Sequence, residues 1–248
     1  MTDRASSRPV HYRITVSIPV LLVLCCGMAR LVANTPVVVL DAGHGGRDRG
    51  AQYGRLIEKH ANLALCLAVE FYLHEMGIDT AVTRTGDYTL SQEARASYAR
   101  HFALPIFVSL HYNGSQHSKA RGVECFYGNA ASKKLATRIQ NTLVHQTGAP
   151  SRGIKRGNHL KVLHRNKAPE AVLIEAGFLS NPFEGHRISQ RSYRFVQARA
   201  IAIANHLASL TRVRPRVGNA GRTTRPWGYQ QTRYLKWPRG YVWPRRRR

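Results

Sequence analysis

The chain has 248 residues, 43% of them apolar, enough to bury one substantial core and hardly two. Its 38 Lys and Arg against 13 Asp and Glu leave a net charge of +25, which calls for a polyanionic neighbour: nucleic acid, a teichoic-type polymer, lipopolysaccharide or acidic phospholipid. Four cysteines without knuckle or framework spacing exclude a cysteine-built zinc module and a disulfide scaffold.

In chain order, Arg4, Arg8 and Arg13 precede an apolar run over 14–29, the layout of a secretory signal and short for a spanning helix. Gly27 and Ala29 offer the small residues of a cleavage site, but Met28 and Arg30 suit one poorly. Residues 1–33 are therefore read as a signal peptide or an uncleaved N-terminal membrane anchor, and the protein as exported to the periplasm or cell envelope. Neither Cys25 nor Cys26 follows the small residue that a lipoprotein signal needs.

From residue 36 short β-branched runs alternate with longer helical ones, which predicts an α/β domain over 34–212. Strands are predicted over 36–40, 80–83, 106–110, 123–127, 160–163 and 171–174, giving a single mostly parallel central sheet of about six strands flanked by helices. Helices are predicted over 58–76, closed by Gly77; over 91–102; over 131–147, closed by Gly148; and over 193–210. Cys66 falls in a helical apolar pattern and Cys125 in a strand, so both read as small core residues.

After Leu210 the periodicity stops. Residues 211–248 hold twelve of the basic residues, all three Trp and no acid, with Pro215, Pro226, Pro238 and Pro244 scattered among them. Residues 213–248 are read as a disordered basic tail. Interleaved Arg, Trp and Tyr suit an anionic envelope polymer or a membrane surface, and equally nucleic acid. The export signal favours the envelope and makes nucleic acid the weaker partner.

The chemistry lies where His and Glu fall relative to the strands. His44 follows the first strand in Asp41-Ala42-Gly43-His44-Gly45-Gly46, and His111 follows the strand over 106–110. Glu175 ends the strand over 171–174, and Glu58 opens the first long helix. The carboxyl ends of strands in an open α/β sheet face one crevice, so the four groups can converge. Two imidazoles and one carboxylate with an open fourth position form a catalytic zinc site, and a second carboxylate that is not a ligand can move the proton of the attacking water. The residues alone leave another reading open, in which the histidines cap loops and Glu58 starts a helix where negative charge suits the macrodipole.

Further residues carry two readings each. Arg84 and Arg95 are candidates to bind substrate carboxylates, or are ion-paired side chains. Asn113 is a candidate for holding His111 or substrate, or satisfies a turn. Asp41 is a candidate to orient a ligand histidine from behind, or closes the strand end. His60 lies two residues from Glu58 and so points away from it on a helix. His159 and His164 bracket the strand over 160–163 as weaker substrate-contact candidates.

The stretches 38–46, Thr83-Arg84, Leu90 with Arg95, 109–113, 122–127, 152–156, Val162-Leu163 and 174–181 resemble the zinc-dependent N-acetylmuramoyl-L-alanine amidases of the type 3 family, in that family's order and over about residues 36–210. The resemblance implies that His44, Glu58 and His111 hold one zinc ion per chain and that Glu175 is the catalytic glutamate. It implies a substrate too, the amide between the lactyl group of N-acetylmuramic acid and the first alanine of the peptidoglycan stem peptide. Between Tyr127 and Arg152 there is room for one helix, so the blocking helical insertion of some cell-division amidases is expected to be missing and no obligate activator protein is expected. The alternatives are a wall-binding module on the same scaffold that has lost turnover, and a nucleic-acid binder resting on charge alone. Deleting residues 213–248 is expected to weaken co-sedimentation with isolated walls or anionic vesicles while sparing turnover of a small soluble muropeptide; equal retention by the truncated protein removes the tail from this account.

Overall fold

The computed structural model describes residues 37–102 and 104–210; the segment over 1–33 and the tail over 213–248 lie outside the described residues. In chain order the elements are β1 (Val38–Ala42), a short hairpin of β2 (Gln52–Tyr53) and β3 (Leu56–Ile57), α1 (Glu58–Glu75), β4 (Thr80–Val82) and α2 (Gln92–Tyr98) with a following 3-10 turn (Ala99–His101). They continue with β5 (Ile106–Asn113), β6 (Val123–Tyr127), α3 (Ser132–Thr147), β7 (Ser151–Arg156), α4 (Lys161–His164), β8 (Glu170–Phe178), α5 (Pro182–Ser189) and α6 (Arg191–Leu210).

Six strands form one sheet in the order β4-β1-β5-β8-β6-β7. Every pairing is parallel except β6 against β8, so the mixed α/β architecture with a mostly parallel sheet is as the sequence predicts. Strands buried on both faces need continuous apolar runs, and β1 is wholly buried. Successive residues point to opposite faces. Val39, Phe107, Ala171 and Leu173 pack on one face beneath Ala99, Val162 and Leu163. On the other side α1 and α3 pack against the sheet and both run along α6. Among the described residues no helix is long and apolar enough to cross a membrane.

Helix ends follow the local chemistry. The Ser91 side chain accepts from Ala94 N at 3.1 Å to start α2, and Gly148 takes the left-handed conformation, φ 64°, that closes α3.

One predicted strand differs, and the hairpin β2–β3, strand β7 and helix α5 are additions. The run over 160–163 is a helical turn, α4, because a short apolar run does not by itself choose between strand and helix. The sixth strand is instead β7, whose Ser-Arg-Gly-Ile-Lys-Arg sequence lacks an apolar run because an edge strand does not require one. Helix α5 was not predicted, although its Asn181 cap accepts from Phe183 N and Glu184 N and Pro182 stands at its first turn. Strands β5 and β8 also run further than predicted, which puts His111 and Glu175 inside strands rather than beyond them.

Phe107 is fully buried in the middle of the sheet. Phe107→Ala is expected to cost about 3–5 kcal/mol, read as a lower urea midpoint for the full chain.

Candidate metal centre

The register of the sheet builds the site. Along one face Asp41 pairs with Ser109 and Ser109 with Leu173; two residues further along, His111 of β5 pairs with Glu175 of β8, which pairs with Glu124 of β6. Paired residues share a face, so His111, Glu175 and Glu124 stand side by side across three strands. His44 comes from the loop after β1, and Glu58 from the first residue of α1.

Glu58 joins the two histidines. Its Oε1 lies 3.0 Å from His44 Nε2 and 3.2 Å from His111 Nδ1. The same oxygen accepts from Asn62 Nδ2 at 3.0 Å and Tyr112 N at 3.2 Å, while Oε2 accepts from Ala51 N at 2.8 Å. Burial by itself would raise the Glu58 pKa, but hydrogen bonds and attraction from His111 and His44 outweigh it and hold the carboxyl well below the ordinary range. For His44 burial works against the imidazolium, yet Glu58 and Asp48 overcome it and the pKa is raised.

Donor atoms of His44, Glu58 and His111 all lie within 4.8 Å of one another. Two donors on one tetrahedral zinc, each about 2.0–2.2 Å from it, stand about 3.3–3.6 Å apart, and the separations of 3.0 Å and 3.2 Å between Glu58 and the two imidazoles lie just under that range. Two imidazole nitrogens and one carboxylate are also the donor set of catalytic zinc sites. Glycines make the approach possible. A Cβ on Gly43 would sit 2.2 Å from the His111 ring, and one on Gly50 would sit 2.3 Å from Glu58 Oε2. His44 itself holds φ 57°, a left-handed backbone costly for most side chains.

Glu175 stands beside this cluster. The residue is partly exposed, but its Oε2 is closed off from solvent and has no hydrogen-bond partner. Burial first, and then the charges of Glu58 and Glu124, push its carboxyl well above the usual range. A carboxyl so disposed readily holds a proton and releases it to a base.

Both arginines lie inside the fold. Arg84 is 1% exposed and its guanidinium donates to the carbonyls of Ala42, Gly43, Lys59 and Gly86 at 2.7–3.0 Å. Arg95, also buried, donates to Asp41 Oδ1 and to the carbonyls of Ala42, His44 and Leu90. Both guanidinia fasten the loop that carries His44. Asp41 is fully buried and accepts from Thr83 Oγ1, Ser109 Oγ and Arg95 Nη1, so it touches no histidine and reaches His44 only through Arg95. Asn113 donates to Glu124 Oε1 at 2.7 Å.

His60 and His164 are exposed, and His159 lies edge-on against Phe126. Three contributors escaped the sequence reading. Asn62 is one helical turn from Glu58 and was findable by spacing, whereas Asp48 Oδ2 lies 2.8 Å from His44 Nδ1 within a loop, where spacing carries no such signal. Glu124 had no such signal, since only strand pairing brings it beside Glu175.

This α/β sheet with a two-histidine, one-carboxylate centre at the ends of its strands has close counterparts. The family model for N-acetylmuramoyl-L-alanine amidase matches residues 38–205, and the chain belongs to that family. It is 33% identical over 174 residues to the germination-specific N-acetylmuramoyl-L-alanine amidase of Bacillus subtilis (strain 168), covering 64% of this chain and 73% of the relative. It is 32% identical over 168 residues to N-acetylmuramoyl-L-alanine amidase LytC of the same organism, covering 66% of this chain but 34% of LytC. The catalytic domain of CwlV, an amidase from Bacillus (Paenibacillus) polymyxa var. colistinus, superposes with a TM-score of 0.64 and 35% identity, covering 71% of this chain and 99% of that domain.

Gly43→Ala is expected to displace the His111 ring and lower zinc affinity at least tenfold, read by competition with a chromogenic chelator, while far-ultraviolet circular dichroism stays unchanged. An unchanged affinity would mean that His111 does not need the space above Gly43.

Proposed function

We propose that the protein is a zinc-dependent N-acetylmuramoyl-L-alanine amidase, which hydrolyses the amide between N-acetylmuramic acid and the first L-alanine of the peptidoglycan stem peptide. The observation that carries this reading is the meeting of His44, Glu58 and His111 around one point, beside Glu175, whose Oε2 is closed off from solvent and has no partner. The activity named for the relatives supports the choice of substrate.

His44, Glu58 and His111 would hold the ion. When bound, zinc acidifies a water molecule and polarises the amide carbonyl as a Lewis acid. The chain supplies the remaining chemistry. Glu175 takes a proton from the attacking water as the general base and keeps it until the carbon–nitrogen bond breaks. It then delivers the proton to the leaving alanine nitrogen, so that water ends as a hydroxyl on the lactyl carboxyl and a hydrogen on the amine. Asn62, Tyr112 N and Ala51 N fix the Glu58 carboxylate, and Arg95 and Arg84 fix the His44 loop, so that little reorganisation is left for the reaction.

The activity is assigned to the cell envelope, with residues 1–33 directing export or anchoring the chain and residues 213–248 attaching it to anionic polymer or membrane. A single helix, α3, joins β6 to β7, which leaves no blocking insertion there and supports activity without an activator protein.

Purified full-length protein loaded with zinc is expected to release stem peptides beginning at alanine from isolated sacculi without any added protein, as read by mass spectrometry. Glu175→Gln is expected to lower the rate at least a thousandfold with zinc content intact, and chelation to abolish it. Full activity in the variant would remove Glu175 from the chemistry.

A further inference from the structure

Strand β7 is the outer strand of the sheet, and two of its basic side chains turn to one acid. Arg152 Nε lies 3.3 Å from Glu124 Oε2, and Lys155 Nζ bonds to the same oxygen. Asn113 Nδ2 occupies the other, Oε1, at 2.7 Å. The Glu124 side chain is 6% exposed, but those of Arg152 and Lys155 are 39% and 46% exposed. Aromatic rings support both cations from behind: the Arg152 guanidinium lies 5.0 Å from the centre of the Phe178 ring, and Lys155 Nζ lies 5.8 Å from that of Phe126.

Two features separate this cluster from an ordinary ion pair at a sheet edge. One cation together with Asn113 would satisfy the buried Glu124 carboxylate, so the second leaves one positive charge uncompensated. That charge also has a fixed address, because Glu124 is the register partner of Glu175 and the pair shares a face of the sheet. Two half-exposed cations are thus tethered to Glu124, the strand neighbour of Glu175, with part of the ordering cost of binding an anion already met within the protein.

We propose that Arg152 and Lys155 form a carboxylate subsite of the amidase centre, selecting N-acetylmuramoyl peptides that carry a free carboxylate on the residue after the first alanine. The proposal rests on the amidase reading above. The glycan side of the cut bond is uncharged near the reacting amide, whereas the peptide side bears carboxylates. The cationic edge therefore gives the cleft a direction: the peptide runs toward β6 and β7, and the sugar toward the His44 loop.

The test uses the zinc-loaded full-length protein and two muropeptides of one sequence, with the carboxylate of the second stem residue either free or converted to a carboxamide. The wild type is expected to favour the free acid about tenfold in kcat/KM, mainly through KM, the size of one partly exposed charge-assisted contact. Lys155→Ala and Arg152→Ala should each bring the ratio toward one, and Lys155→Arg should retain it, with zinc content unchanged throughout. Equal turnover of both muropeptides by the wild type overturns the subsite and leaves the amidase reading standing, and that comparison needs no variant to fold. Turnover of neither, with zinc bound, overturns the amidase reading and the subsite together.

Discussion

A single carboxylate oxygen, Glu58 Oε1, stands 3.0 Å from one imidazole and 3.2 Å from another, on side chains that come from a loop and a strand. Three backbone or amide donors hold the same carboxylate from the helix and loop sides. Burying an ionised acid is costly unless its partners are in place, so this group is stable only when α1, β5 and the loop after β1 are all correctly assembled. The geometry of the site and the order of the fold are consequently one constraint.

Beneath that junction lies a buried polar layer. Asp41 collects Thr83, Ser109 and Arg95 at the base of the site, and Arg84 and Arg95 together tie down the carbonyls of Ala42, Gly43 and His44. A loop with positive φ at His44, Gly45 and Gly46 has few backbone bonds of its own. Side chains from the segment after β4 and from α2 provide them, and the arginines pair or bond rather than lying idle in the core. Lys59 and Asp87 add a clasp from outside: both bond to Gly46, and to each other at 2.7 Å.

The antiparallel turn of β6 against β8 has a functional consequence. It sets Glu124 opposite Glu175 and brings the basic edge strand within one strand of the reacting centre. A fully parallel sheet would have presented the other end of that strand. Charge that protects an edge from pairing with another chain is thereby available to meet a ligand.

The sequence by itself determined the class of fold, the apolar runs of the central strands, the first long helix with Glu58 at its start, and the family, because short-range periodicity and motif order are local properties of the chain. It also named all four groups of the centre, since His44, His111 and Glu175 stand at or near strand ends where α/β folds place their chemistry. Only the tertiary structure decided what the neighbouring charges do. Arg84 and Arg95 read the same in sequence whether they face solvent or a carbonyl, and it is the fold that buries them against the carbonyls of residues 42–44. A polar edge strand carries no periodic signal, so β7 and the pairing of Glu124 with Glu175 arise from long-range register, where residues distant in sequence acquire a shared face.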